Sequence, residues 1–145
     1  SGAVTALGLV LSSFGGYGLS RLRSPLRSKI VFMILLSQMF PATLLLLPFS
    51  VLLAKLSLLD SFIGLAVLYS STALPFCLWQ MKNFYDSLPK ELEEASWLDG
   101  ASSWRVFAKV IFPLARPALL VTGLFSFLTA WCEYVIAAIV IQDPE

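Results

Sequence analysis

Four long stretches without a charged residue constrain this chain more than any other feature. They cover residues 1–20, 30–54, 61–81 and 117–132, and each is close to the roughly 20 residues that a helix needs to cross about 30 Å of hydrocarbon. Hydrophobic residues make up 58% of the 145 positions, and the mean hydropathy is +0.83. Lipid is therefore the expected solvent for most of the molecule.

The length of these stretches decides between two all-helical fold classes. Buried helices of a soluble protein are also apolar, but they rarely exceed about 14 residues and seldom occur four in succession. We therefore predict an all-α, polytopic transmembrane helical bundle. The predicted spans lie at about 3–19, 30–54, 61–81 and 117–141, and residues 82–116 form the longest loop.

Basic residues are distributed unevenly around these spans. Nine of the ten follow the first span or lie between the third and fourth, and only Lys55 lies between the second and third. Because Lys and Arg accumulate in cytoplasmic loops, residues 21–29 and 82–116 are predicted to be cytoplasmic. The sequence starts inside a span and without Met, so we expect it to be a fragment of a longer protein.

The sequence lacks the residues or patterns that several kinds of site require. There is no histidine, and Cys77 and Cys132 both lie in predicted spans, so we predict neither a metal site nor a catalytic residue. No G-x-x-x-x-G-K pattern occurs, so the chain is not expected to bind or hydrolyse ATP. A membrane-embedded enzyme or an ion channel would need paired reactive groups or a pore-lining polar ring, and neither is found. No cofactor and no nucleic-acid partner is predicted.

Acidic residues are concentrated in the predicted loop. Four of the nine fall within nine positions, at Glu91, Glu93, Glu94 and Asp99. Carboxylates are favourable near a helix N-terminus, and apolar residues follow at helical spacing. Asp99-Gly100 then predicts a turn, and Ser102 or Ser103 can cap a second helix. The apolar faces of these two short helices also hold three aromatic residues, Trp97, Trp104 and Phe107. We expect the membrane surface or another protein to cover them.

The stretch EEASWLDGASSWRVFAKVIFPLARPAL resembles the cytoplasmic EAA loop of ATP-binding-cassette importer permeases. The family pattern is Glu-Ala-Ala, three residues, Gly, nine residues, Ile, one residue and Leu-Pro. This sequence matches at Glu94, Ala95, Gly100 and Pro113 and departs at Ser96, Val110 and Phe112. The flanking LPKELEEA, with SQMFP and AWCEY elsewhere, is most similar to the carbohydrate branch, in particular the second permease of maltose-type systems.

The resemblance implies a permease subunit for a sugar or sugar-like solute in the bacterial cytoplasmic membrane. The chain would hold the middle four of six spans. Its partners would be a separate ATP-binding subunit, a second permease subunit and an extracytoplasmic solute-binding protein. An importer for another solute, such as a polyamine or an anion, stays open.

The resemblance also implies that the loop docks on the ATP-binding subunit. The residues expected at that contact are Glu91, Glu93, Glu94, Ala95, Ser96, Leu98, Asp99, Gly100 and Ala101. Carboxylates there would accept hydrogen bonds from basic residues of the partner. Gly100 would allow a sharp reversal at positive φ.

One charged residue, Glu133, lies within a predicted span. An ionisable group costs at least about 2.5 kcal/mol at the bilayer centre, so Glu133 is expected to face the bundle interior, water or a partner. Two interpretations stay open. Its carboxylate accepts hydrogen bonds in or beside a hydrophilic pathway for hydroxyl-rich ligands, or it makes a structural bond to a neighbouring helix.

Overall fold

A computed structural model of the chain describes residues 1–21, 23–133 and 135–140. Within these ranges the chain is helical with short connections and without a strand, in agreement with the predicted all-α class. The helices are α1 (Gly2–Arg21), α2 (Leu26–Gln38), α3 (Ala42–Lys55), α4 (Phe62–Ser87), α5 (Glu91–Leu98), α6 (Ser103–Val106), a π-helical turn (Phe107–Ile111), α7 (Phe112–Leu114), α8 (Arg116–Cys132) and α9 (Val135–Val140).

Small residues of α1 allow it to pack closely against α4 and α8. Gly8, Ser12 and Gly16 recur at four-residue spacing and are all buried, so they form one contact face of α1. A Cβ atom on Gly16 would lie 2.8 Å from Cβ of Met81, so the two backbones approach too closely there for a larger residue. The hydroxyl of Thr122 on α8 contacts Sδ of Met81 at 3.6 Å. α1, α4 and α8 thus pack against one another.

The predicted second span, 30–54, is not one helix. α2 ends at Gln38 and α3 begins at Ala42, and Pro41 between them is extended, with φ −59° and ψ 128°. Proline has no backbone N–H and disfavours helical conformation in the residue before it, which explains the break. Among the described residues, α1 and α4 are the single helices long and apolar enough to cross a membrane unaided.

The last predicted span, 117–141, is interrupted as well. α8 ends at Cys132, Glu133 is extended, and α9 follows from Val135. The hydroxyl of Tyr69 on α4 donates to the backbone carbonyl of Glu133 at 2.5 Å, which satisfies a carbonyl left free at the helix end. α4 in turn extends to Ser87, six residues beyond the predicted end of the third span.

Buried apolar side chains form two clusters along α4. The first surrounds Leu68 and Tyr69 in the first half of the helix and includes residues of α1, α3, α8 and α9. The second surrounds Met81 and Tyr85 near its end. The second cluster also takes in Phe107 and Ile111, so the predicted loop is part of the folded core and not a loose connection.

The close contact at Gly16 can be tested with a pair of alanine substitutions. Gly16→Ala should lower the free energy of unfolding by about 1 to 3 kcal/mol, because the added methyl group clashes with α4. Gly18→Ala is the matched control, since a Cβ atom there meets nothing within 4 Å. It should be neutral or gain up to about 1 kcal/mol from helix propensity. Thermal unfolding of the purified chain in detergent measures both, and equal midpoints would contradict the packing.

Candidate functional site

The predicted helix, glycine turn and second helix are present, and we call residues 91–114 the acidic hairpin. Glu91, Glu93 and Glu94 occupy the first turn of α5, where carboxylates interact favourably with unpaired backbone N–H groups. After α5, Gly100 has a φ of +79°, and the N–H of Ala101 donates to the carbonyl of Ser96 at 3.1 Å. This bond pattern ends a helix with a left-handed glycine and reverses the chain into α6.

The second limb of the hairpin, from α6 to α7, packs against α1 and α4. Val106 and Ile111 are fully buried there. The ring of Phe107 lies 4.9 Å from that of Tyr17 and 5.3 Å from that of Phe14, both on α1. Phe107 is thus covered by its own chain and needs neither a membrane surface nor a partner, contrary to the expectation from the sequence.

Glu93 differs from the other acidic residues of the hairpin because its side chain points into the protein and is only 2% exposed. Its carboxylate forms an ion pair with the guanidinium group of Arg21 and accepts a hydrogen bond from Nε of Arg21 at 2.5 Å. The hydroxyl of Tyr17 donates to the same carboxylate at 2.9 Å. Glu93 therefore fixes α5 to the end of α1, and its carboxylate is turned away from the exposed face of that helix.

A second polar cluster joins α1, α2 and α4 beside this ion pair. Asp86 accepts a hydrogen bond from the hydroxyl of Ser20 at 2.7 Å and forms ion pairs with Arg27 at 2.7 Å and Lys82 at 2.8 Å. Arg21 links the two clusters, since its Nη1 donates to Ser20 at 3.0 Å. From the sequence, the basic residues of this region served only to predict which loops are cytoplasmic. Lys82 and Asp86 are an i,i+4 pair that the sequence could have indicated. Arg21 and Arg27 are far along the chain from Glu93 and Asp86, so no local pattern could have identified those two ion pairs.

The other predicted contact residues form an exposed surface, which we call the docking face. Glu91, Glu94, Ala95, Leu98, Asp99 and Gly100 are all exposed, with Ser96 and Ala101 half-buried beside them. Leu98 is 89% exposed and Trp104 is 65% exposed. Exposed apolar side chains of this size, beside carboxylates on one short helix and its turn, have the composition of a surface that contacts another protein.

A cavity of about 410 Å³ borders the docking face. Glu94 and Trp97 line its hairpin side, and Arg21 and Arg23 line its α1 side. The face is therefore not flat: carboxylate, aromatic and basic groups surround one concavity at the junction of α5 and α1.

Glu133 lies far from the acidic hairpin, at the opposite end of α8. It is half-buried, and the contact that positions it is the backbone hydrogen bond from Tyr69. The structure therefore separates the two sets of residues singled out in the sequence, with the hairpin at one end of the bundle and Glu133 toward the other.

Comparison with known proteins gives this geometry a context. A protein-family model described as "Binding-protein-dependent transport system inner membrane component" matches residues 7–145. The chain is 32% identical over 143 residues to the maltodextrin transport system permease protein MdxG of Bacillus subtilis, covering 99% of this chain and 51% of the relative. It is 34% identical over 148 residues to the maltose/maltodextrin transport system permease protein MalG of Salmonella typhimurium, covering 98% and 50%.

A solved structure agrees with these relatives. The crystal structure of a bacterial ABC transporter involved in the import of the acidic polysaccharide alginate contains a similar chain. Its TM-score is 0.76 at 29% identity, and the match covers 99% of this chain and 52% of that chain. This chain thus spans about half the length of the proteins it matches here.

The buried ion pair makes a prediction about stability. Glu93→Gln removes the charge that compensates Arg21 and should cost about 2 to 5 kcal/mol, because Arg21 would be left without its counter-ion in a largely buried place. Glu91→Gln changes an exposed carboxylate of the same helical turn and should stay within about 0.5 kcal/mol. Thermal unfolding and the rate of tryptic cleavage at Lys90 and Arg105 provide the measurements. Equal behaviour of the two variants would mean that Glu93 does not hold the hairpin.

Proposed function

Because this chain belongs to the binding-protein-dependent transport system inner membrane components, we propose that it is part of a permease subunit of an ATP-binding-cassette importer. The proposed solute is a sugar or a sugar-like molecule. The relatives named for maltodextrin and maltose transport support this solute class, as does the alginate importer. This activity is proposed from relatives of which the chain spans about half the length.

The acidic hairpin is the proposed coupling element. Its docking face would lie against a separate ATP-binding subunit, with Glu94 and Asp99 accepting hydrogen bonds from basic groups and Leu98 filling an apolar depression. The observation that carries this proposal is that the glutamates of α5 differ in exposure and in their partners. Glu93 is consumed by the internal ion pair, whereas Glu91 and Glu94 stay exposed on the same short helix.

Movement of the ATP-binding subunit would be transmitted to the bundle by two routes, one through an ion pair and one through the continuous backbone. One runs from α5 through Glu93 and Arg21 into α1. The other runs from α6 and α7 into α8, which begins directly after Ala115. A change in the position of the docked hairpin would thereby tilt α1 and α8 relative to α4. Such a coupled change between two states would alter access to the pathway.

ATP hydrolysis is assigned to the partner subunit. The chain has no glycine-rich phosphate-binding sequence, so it would contribute the pathway and the docking surface only. A second permease subunit would complete the pathway, and an extracytoplasmic solute-binding protein would deliver the solute.

Two substitutions in the docking face test coupling. Glu94→Lys should weaken recovery of the ATP-binding subunit, because loss of a desolvated charge pair costs about 2 to 5 kcal/mol. Gly100→Val should abolish transport while the permease still inserts, because φ of +79° is strained for a β-branched residue. Gly18→Val is the control for added bulk, since the space around Gly18 is open.

The measurements are co-purification of the ATP-binding subunit, solute uptake and ATP hydrolysis in vesicles. Normal co-purification with Glu94→Lys and full, transport-coupled ATP hydrolysis with Gly100→Val would show that the hairpin does not couple the permease to the ATP-binding subunit.

An importer for a polyamine or an anion is the alternative within the family. The ligand that co-purifies with the cognate solute-binding protein distinguishes it from a sugar importer. A membrane-embedded enzyme or a channel would not show ATP hydrolysis stimulated by that binding protein.

Glu133 is the proposed pathway residue outside the hairpin. Glu133→Gln keeps the size of the side chain but removes its charge and replaces an acceptor oxygen with an NH2 donor. Assembly should be preserved while solute uptake falls by about tenfold or more, in the range of one charged hydrogen bond. Glu133→Leu should reduce uptake further. Normal uptake with Glu133→Leu would remove Glu133 from the pathway and leave only the structural role of its backbone carbonyl.

A further inference from the structure

Two adjoining cavities lie beside the break between α2 and α3. Their volumes are about 220 and 500 Å³, and both are lined by Gln38 and Thr72. The smaller also includes Thr129 of α8, and the larger includes Ser37 and Ser71. We call the two cavities together the crevice. It lies near the middle of the uncharged stretches 30–54 and 61–81, at a depth where polar groups and broken backbone are tolerated only beside protein or water.

Two prolines leave backbone acceptors at the crevice. Pro41 and Pro75 both line the larger cavity, and neither has an N–H to donate. In a helix, each would have donated to the carbonyl four residues earlier, which belongs to Ser37 and to Ser71. Both of these residues line the same cavity. The crevice therefore holds two carbonyl groups that lack their usual helical donor.

Side-chain hydroxyls add further acceptors. Thr72 donates its proton to the carbonyl of Tyr69 at 3.0 Å, and Thr129 donates to that of Phe125 at 2.8 Å. With the protons used within their own helices, the oxygen lone pairs stay open to a ligand. The amide of Gln38, which is exposed, offers both a donor pair and an acceptor. The crevice is thus rich in acceptors and needs a ligand that carries several donors.

The charge of the lining narrows the ligand class. Among the described residues, the lining of the two cavities includes no Asp, Glu, Lys or Arg. An anion would need donors or positive charge, and a polyamine would need a carboxylate to compensate its desolvated ammonium groups. The rings of Phe76 and Phe125, with centroids 5.5 Å apart, instead add apolar aromatic surface to the smaller cavity.

We propose that the crevice is a binding site for an uncharged, hydroxyl-rich solute, with the geometry of a sugar ring. Its hydroxyl groups donate to Thr72, Thr129 and the carbonyls released by the two prolines, and its apolar face contacts Phe76 or Phe125. This inference rests on the proposed function and narrows it, because it favours a neutral sugar over a polyamine or an anion as the solute that crosses this subunit.

Cysteine labelling in the assembled importer tests whether the crevice is open to water. In a Cys132→Ser background, Thr72→Cys and Thr129→Cys should react with a permanently charged methanethiosulfonate, which does not enter lipid. Leu124→Cys, on the same helix as Thr129 and exposed on the helix surface outside both cavities, is the control and should stay unlabelled in membranes. Unlabelled Thr72→Cys and Thr129→Cys would overturn the proposal, because the crevice would then be closed to a water-borne solute.

A hydroxyl deletion tests the contact with the solute. Thr72→Val should lower uptake of radiolabelled maltotriose per ATP hydrolysed by about two- to tenfold, the range expected for one hydrogen bond. Thr5→Val is the matched control. It removes the same hydroxyl from a residue that also bonds only its own helix, at 3.1 Å to the carbonyl of Ser1, and that lies outside the crevice.

The outcomes separate this inference from the proposed function. Equal uptake ratios for Thr72→Val and Thr5→Val would overturn the binding site while leaving the importer intact. A wild-type complex that hydrolyses ATP with its binding protein but takes up no neutral sugar, maltotriose included, would contradict the proposed solute class. Thiol labelling would then still decide whether the crevice is an aqueous site.

Discussion

Arg21 stands at the point where α1, α4 and α5 meet, and its ion pair with Glu93 joins the first helix to the acidic hairpin. A carboxylate that is 2% exposed requires nearly complete compensation, and Glu93 obtains it from Arg21 and from the hydroxyl of Tyr17. Arg21 also donates to the backbone carbonyl of Tyr85 on α4 at 3.1 Å. The exposed face of α5 therefore has a fixed position relative to the bundle, and any surface that docks there meets a rigid target.

Helix periodicity and turn chemistry were enough to predict much of this arrangement. The reversal at Gly100 depends on a few neighbouring positions, and it occurs as expected. The inward orientation of the Glu93 side chain could not be predicted from neighbouring residues. Three glutamates within four positions look alike in the sequence, and only the approach of Arg21, 72 residues earlier in the chain, decides which of them points inward.

The predicted spans were least accurate where proline and a polar residue interrupt an apolar stretch. Hydropathy measures the solvent that a segment prefers, and residues 30–54 remain apolar throughout, so it could not predict that the helix breaks before α3. Proline chemistry accounts for the break itself, and the structure adds what surrounds it. Gln38 and Pro41 share cavities with Thr72 and Pro75 of α4.

The steep angle between the second limb of the hairpin and α8 has a mechanical consequence. The axes of the segments Ser103–Leu114 and Arg116–Cys132 are bent by 70° relative to each other, so the limb projects from the axis of α8 as a lever arm. At about 1.5 Å per residue the arm is roughly 18 Å long, and turning α8 by about 10° around its own axis would sweep the tip through about 3 Å. A displacement of a few ångströms at the far end of the arm is thereby geometrically equivalent to a rotation of α8, which changes the side chains that this helix presents along its whole length.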